Sequence, residues 1–138
     1  MVATGLSLPA AAQETQTAQD AQDNGLTIEL NDATDVSGAC RLVFVAKNGT
    51  GVVLEKATLE LVTFDTTGKV GKTLTFQFGP LPVEKTRVKL FDLPGQACNG
   101  ISRLLVNDVS ECAVDGKASE LCIDALATST RMGIEFGL

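Results

Sequence analysis

Apolar and polar residues alternate along residues 57–93, where three strand-like runs are separated by two turns. In the second and third runs the apolar side chains are Leu74, Phe76, Phe78, Val88 and Leu90, with polar residues between them. A period of two places successive side chains on opposite faces of a strand, so that one face is buried and the other contacts water. The alternation therefore predicts an antiparallel sheet with Val88 and Leu90 in the core.

The same pattern predicts seven short strands separated by turns rich in Gly, Pro, Asn and Asp. The predicted strands span residues 26–30, 40–47, 57–65, 72–78, 85–91, 101–106 and 128–136. A loop is predicted at residues 31–38 and a longer excursion at residues 109–125, in which 117–125 can form one or two helical turns. Such spacing is typical of an all-β, seven-stranded antiparallel sandwich of the immunoglobulin or fibronectin-III type.

The N-terminal residues differ in composition from the rest of the chain. Residues 1–12 form a short apolar run that ends in small residues, as in the remnant of a secretory signal peptide, although no basic segment precedes it. Residues 13–25 are polar and are predicted to be a disordered linker. We therefore expect a β-sandwich domain at residues 26–138, in a protein that is periplasmic or secreted.

Four cysteines allow three disulfide pairings, and the predicted topology selects one of them. Consecutive strands of a sandwich alternate in direction, so its connections alternate between two ends. Cys40 and Cys98 are predicted to lie at one end, and Cys112 and Cys122 at the other. The topology therefore predicts the disulfides Cys40–Cys98 and Cys112–Cys122. Zinc binding by the four thiolates is disfavoured because no C-x-x-C pair is present.

Composition and charge exclude several classes of function. The chain of 138 residues has no His, which removes the commonest general base and zinc ligand. Its net charge of −6 and its lack of Trp and Tyr argue against binding to nucleic acid. No apolar run is long enough to span a bilayer. We therefore expect a protein without catalytic, cofactor-binding or metal-binding residues, whose partner is another protein in the periplasm or at the cell surface.

The loop at residues 109–127 and an exposed sheet edge are the candidate contact regions, because loops on a rigid sandwich commonly carry recognition. The charged residues in or beside this loop are Asp108, Glu111, Asp115 and Lys117. As an alternative, the three acids at this end of the sandwich would serve a carrier of a small ligand or metal ion. A basic stripe at residues 85–89 is interpreted as protection of an exposed sheet edge, in preference to a binding site for an acidic partner.

Part of the chain resembles the FxLyD-type extracytoplasmic domains of bacteria. The resemblance rests on the Asn48-Gly-Thr50 turn, on residues 57–69, on Gly79-Pro-Leu-Pro82 and on Thr86-x-Val88. Where the family has Phe-x-Leu-Tyr-Asp, this chain has Leu-Val-Thr-Phe-Asp at residues 61–65 and retains the aspartate. The whole chain is also similar to small exported proteins of alphaproteobacteria. The resemblance implies an immunoglobulin-like fold outside the cytoplasm and no catalytic or ligand-binding residues.

Overall fold

The structure is a computed structural model that describes Gly5 and residues 24–138. Within these residues the chain forms nine strands, one 3-10 turn and one helical turn. The strands are β1 (Leu26–Val36), β2 (Ala39–Asn48), β3 (Lys56–Phe64), β4 (Val70–Gln77), β5 (Thr86–Pro94), β6 (Arg103–Val114), β7 (Lys117–Ala118), β8 (Leu126–Thr130) and β9 (Glu135–Gly137). The 3-10 turn spans Cys98–Gly100, and α1 spans Leu121–Asp124. The predicted all-β class is confirmed.

The strands form two sheets. The first sheet has the order β5-β2-β1-β8, and the second has the order β4-β3-β6-β7 with β9 also pairing with β6. Most pairs are antiparallel, but β1 pairs with β8 and β6 pairs with β9 in parallel. The predicted count of seven strands and the purely antiparallel pairing are therefore wrong.

The core lies between the two sheets and is centred on Phe44 of β2. Its ring lies 5.4 Å from the ring of Phe78 and 5.3 Å from that of Phe136, while Phe76 and Phe91 stack at 4.3 Å. Leu42, Phe44 and the other inward residues of β2 are fully buried, as the alternation predicts. Tilted and stacked aromatic pairs of this kind add about 0.5–1.5 kcal/mol each beyond the apolar area that they bury.

The predicted loop at residues 31–38 is wrong, because β1 continues through it to Val36. A bulge at Asn31 shifts the register between Leu30 and Asp32, after which Val36 pairs with Ala39. The chain then reverses through Ser37 and Gly38, whose φ angles are 48° and 81°. Two consecutive positive φ angles match the twist of a two-residue hairpin, so the turn keeps the two strands paired. The bulge allows the polar residues before the turn to remain in the strand.

The predicted last strand at residues 128–136 is also wrong, because the chain reverses direction within it. β8 belongs to the first sheet and β9 to the second. The Thr130 hydroxyl accepts a hydrogen bond from the Met132 N–H at 3.0 Å and donates to the Ile134 carbonyl at 3.0 Å. A threonine side chain that replaces backbone pairing in this way favours a turn. Ile134 and Phe136 nevertheless point into the core, as the alternation predicts.

The predicted facing of β5 is reversed. Leu93 is fully buried and Phe91 packs on Phe76, whereas Val88 is 58% exposed and Leu90 is 56% exposed. The residues at the end of the strand set the facing, because Leu93 pairs directly with the buried Cys40. A period of two then directs Val88 and Leu90 to the outer face. β4 and β5 also lie in different sheets, so the chain crosses between the sheets after β4.

The first part of the predicted excursion at residues 109–125 is a strand hairpin. β6 extends to Val114, where it turns back into β7 and pairs with it. Two register shifts in the pairing with β3 leave Asn107 and Ser110 as bulged residues. The helical turns predicted within residues 117–125 are confirmed only at Leu121–Asp124, because Lys117 and Ala118 form β7.

Both predicted disulfides are confirmed, and they lie at opposite ends of the sandwich. Cys40–Cys98 joins the start of β2 to the 3-10 turn, where the Cα atoms are 4.9 Å apart. Cys112–Cys122 joins β6 to α1, where the Cα atoms are 6.0 Å apart. The end that carries the β1–β2 turn is called the turn end below, and the end that carries the β6–β7 hairpin is called the hairpin end.

The predicted signal remnant at residues 1–12 and linker at residues 13–25 lie outside the described residues, apart from Gly5, Asn24 and Gly25. Gly25 belongs to the folded domain, because its carbonyl accepts a hydrogen bond from the Gly49 N–H at 2.8 Å. Over the described part of the chain, no helix has the length and hydropathy needed to cross a membrane.

Candidate functional site

The predicted interaction residues surround the hairpin between β6 and β7. Asp115 and Gly116 form its two-residue turn with φ angles of 51° and 73°, and Val114 pairs with Lys117 across it. The Glu55 carboxylate accepts a hydrogen bond from the Gly116 N–H at 3.0 Å. This bond joins the hairpin to the loop between β2 and β3, so the hairpin is supported by that loop as well as by its own turn.

The disulfide between Cys112 and Cys122 holds α1 against the base of the hairpin. Cys122 is fully buried, and the Ser119 N–H donates to the Cys112 carbonyl at 3.0 Å. The Ser119 hydroxyl in turn accepts a hydrogen bond from the Leu121 N–H at 3.1 Å, next to the start of α1. Residues 112–122 therefore form a closed loop whose covalent and hydrogen-bonded contacts limit its conformations.

A shallow, open depression of about 620 Å³ lies beside this loop, and we call it the hairpin depression. It is lined by the outer side of β6, by β7 and by the residues that lead into α1. Its charged residues are Lys56, Asp108, Glu111, Lys117 and Glu120. Of the four predicted interaction residues, Asp108, Glu111 and Lys117 line the depression, whereas Asp115 lies in the turn outside it. The surface thus presents both signs of charge over a short distance.

The charges of the hairpin depression are accessible to a partner. The Lys56 ammonium lies 3.2 Å from the Glu111 carboxylate, and both side chains are more than half exposed. An exposed ion pair of this kind contributes only about 0–1 kcal/mol, so a partner can replace it at little cost.

The side of β6 that faces the depression is not suited to pairing with another strand. The Val109 N–H is already bound to the Asp108 carboxylate at 2.8 Å, and bulges at Asn107 and Ser110 interrupt the strand. Bulges and charges are devices that protect sheet edges from further pairing. The depression therefore offers side chains to a partner and does not offer a strand edge.

The predicted acids of this end are not all brought together. In the part of the chain that the structure describes, no group of three His, Cys, Asp or Glu side chains is placed to hold a metal ion. All four cysteines are in disulfides. Asp108 and Glu111 lie in the depression and Asp115 lies apart from them, so the three acids do not converge.

Three carboxyl groups elsewhere have a lowered pKa, and each has a structural cause. Hydrogen bonds from Asn31 and Arg131 lower the pKa of Glu29, and those from Thr67 and the Lys69 backbone lower the pKa of Asp65. A two-pronged hydrogen bond from Arg41 lowers the pKa of Asp92. All three lie outside the hairpin depression, so these lowered pKa values reflect turns and ion pairs of the scaffold.

A second exposed surface was not predicted from the sequence. The outer face of the first sheet carries Val43, Val45, Val88 and Leu90 side by side, because Val45 pairs with Val88 and Val43 with Leu90. The signal in the sequence was the run at residues 42–46, which is apolar at every position. A strand that is apolar on both faces is either covered on both faces or has one apolar face at the surface. In β2 the face with Val43 and Val45 is at the surface.

The comparisons with known proteins concern the fold. No family model matches the chain, and no curated protein matches it significantly. A solved structure of IrmA from Escherichia coli is similar, with a TM-score of 0.54 and 14% sequence identity. The similarity covers 75% of this chain and 90% of that chain. At this identity the likeness shows a shared fold.

Proposed function

We propose that the protein is a non-enzymatic interaction module of the immunoglobulin or fibronectin-III type that acts in the periplasm or after secretion. Two disulfides are compatible with an oxidising, extracytoplasmic compartment. The proposed sandwich type, close to the FxLyD-type domains, is supported by two packed sheets between which the chain crosses after β2, β4, β5, β7 and β8. The departures from that type are the parallel pairings of β8 and β9.

The observation that carries the proposal is the hairpin depression. A disulfide-closed loop on a rigid sandwich loses little conformational entropy on binding, which favours recognition. Exposed charges of both signs, Glu111 and Lys117 among them, are suited to a protein surface with the opposite arrangement of charge. The partner would be an extracytoplasmic protein, and the proposal includes no cofactor.

Site-specific photo-crosslinking in the producing cell tests the proposal. A photoreactive residue in place of Lys117 should crosslink one defined protein, whereas the same residue in place of Thr66 at the turn end should not. Reversal of charge in Glu111→Lys should reduce the crosslink from position 117 without changing the unfolding midpoint. Equal crosslinking from both positions, or none from position 117, would count against an interaction surface at the hairpin end.

A carrier of a small ligand is the second candidate, because the volume of the depression lies within the range of ligand sites, about 300–1,000 Å³. Thermal unfolding in the presence of Ca²⁺ and of common metabolites distinguishes the two functions. A ligand that binds only the folded state raises the melting temperature, and Asp108→Asn with Glu111→Gln should abolish the rise. If neither Ca²⁺ nor any metabolite changes the melting temperature, the carrier function is contradicted and the interaction module is retained.

A further inference from the structure

The β5 strand forms a free edge of the first sheet. Its pairing with β2 has no register shift between the Thr86–Lys47 pair and the Pro94–Ala39 pair. No described residue pairs with the other side of β5. A regular edge of this length presents a row of backbone N–H and C=O groups that a further strand can pair with. The unpaired part of β6 differs, because its bulges and the Asp108 side chain interrupt that row.

Apolar side chains extend from this edge across the outer face of the sheet. Val88 and Leu90 of β5 are 58% and 56% exposed, and they lie beside Val45 and Val43 of β2. If the basic residues only protected the edge from pairing, exposed apolar side chains would not be needed beside them. A contiguous apolar patch that reaches a regular free edge is characteristic of a surface that binds a partner.

The charges around the edge indicate the chemistry of that partner. Residues 84–94 carry three cationic side chains, Lys85, Arg87 and Lys89, within a chain whose net charge is −6. The two acids of this segment are already paired, Glu84 with Lys47 and Asp92 with Arg41. Among the described residues, no carboxylate lies within 4.0 Å of any of the three cations. The edge is therefore complementary to negative charge.

We propose that the free edge of β5 binds an extended acidic segment of a partner protein, which adds to the first sheet as a further strand. The side chains of an added strand alternate between the two faces of the sheet. Those on the outer face would meet Val88 and Leu90, and those on the other face would meet Arg87 and Lys89. The matching segment thus alternates apolar and acidic residues, and its backbone pairs with that of β5.

This surface is on the opposite sheet from the hairpin depression, so the two proposals are tested separately. The probe is a capped peptide of nine residues, the length of β5, in which valine and glutamate alternate. The control peptide has the same composition with the valines and the glutamates in separate blocks. Binding to the full, oxidised chain is measured by titration calorimetry, and the site is located by amide hydrogen exchange.

A pair of matched variants separates local charge from net charge. Arg87→Gln with Lys89→Gln removes two positive charges from the edge, whereas Thr66→Glu with Asn99→Glu makes the same net change at exposed positions of the turn end. We expect the alternating peptide to bind, to slow exchange in β5, and to lose about tenfold or more in affinity with the edge variant. With the turn-end variant the loss should stay within about twofold.

Three results would overturn the inference. The first is equal binding of the control peptide with separate blocks, which would show that binding does not depend on the alternation of valine and glutamate. The second is binding that neither slows exchange in β5 nor depends on Arg87 and Lys89. The third is self-association of the wild-type chain that the edge variant abolishes, since the edge would then bind a second copy and not an acidic segment.

Discussion

At the scale of single residues, Asn48 is a buried polar side chain that holds two loops of the hairpin end together. It is fully buried, and its amide nitrogen donates to the Val52 carbonyl at 2.7 Å and to the Leu81 carbonyl at 2.8 Å. Its amide oxygen accepts from the N–H and the hydroxyl of Thr50. The Asn48-Gly-Thr50 turn is therefore built on this side chain, and a glycan on its nitrogen would remove one of the two N–H donors.

Replacing Asn48 by Ala should lower the free energy of unfolding by about 3 kcal/mol, because the four hydrogen bonds of a buried side chain are lost. Urea unfolding measures the change. Thr50→Val is the control, since it removes the hydroxyl alone and should cost about 1 kcal/mol. A loss below that of Thr50→Val would show that Asn48 does not hold the loops.

Asp65 predicts a dependence of stability on pH. Bonds from the Thr67 hydroxyl, the Lys69 N–H and the Thr67 N–H lower its pKa. The unfolded chain, with an aspartate pKa of about 3.9, then binds the proton first. Stability from this group is therefore present above about pH 4 and is lost as the pH falls through the lower pKa of the folded state.

Thr67→Val tests the cause of this shift. Because the Thr67 hydroxyl makes the largest contribution, its removal should raise the pKa of the Asp65 carboxyl toward the ordinary value, as measured by NMR titration. In Asp65→Asn an amide oxygen can still accept the hydrogen bonds of the turn, but the side chain no longer titrates. The loss of stability at low pH that is due to this group should therefore vanish. An unchanged pKa in Thr67→Val would assign the shift to the backbone bonds alone.

At the scale of the strands, the facing of β5 makes opposite predictions for two leucines. Leu93→Ala should cost about 3 kcal/mol, because Leu93 is fully buried, whereas Leu90→Ser should change stability by about 0.5 kcal/mol or less. The facing that the alternation predicts would give the reverse order. Comparison of the two unfolding free energies in urea therefore decides which face of β5 is in the core.

The strands also show where a local pattern is sufficient. In β2 every second residue is buried, because the strand lies inside its sheet and packs along its whole length. In β5 the alternation holds, but two apolar sets compete for the core, Val88 with Leu90 and Phe91 with Leu93. In the second set Leu93 is buried and Phe91 is half-buried, because they lie against Cys40 and Phe76, and these contacts come from distant parts of the chain.

At the scale of the whole molecule, the two disulfides should stabilise the fold unequally. Cys40–Cys98 spans 58 residues and Cys112–Cys122 spans 10. Because each disulfide lowers the entropy of the unfolded chain, the first should stabilise the fold by about 4 kcal/mol and the second by about 3 kcal/mol. Replacement of each pair by alanines, followed by urea unfolding, measures both contributions, and a larger loss from the shorter loop would contradict this account.

The disulfides also show what the sequence predicted of the candidate site. Their pairing followed from strand direction, which depends only on how many strands lie between the cysteines. Of the predicted interaction residues, Glu111 and Lys117 lie near the hairpin, whereas Asp108 lies in the middle of β6 and not in a loop after the strand. The extension of β6 into the hairpin was missed, because its two bulges break the alternation that marks a strand.

The sequence by itself determined the all-β class, most of the strands, the buried alternation of β2 and β4, and both disulfides. These features depend on a period of two and on the order of strands along the chain, and both are local properties. Only the tertiary structure decided which strands share a sheet, that residues 128–136 divide between the two sheets, and that Val88 and Leu90 face outward. Those outcomes depend on which of several apolar surfaces packs against a distant part of the chain, and a local pattern does not contain that information.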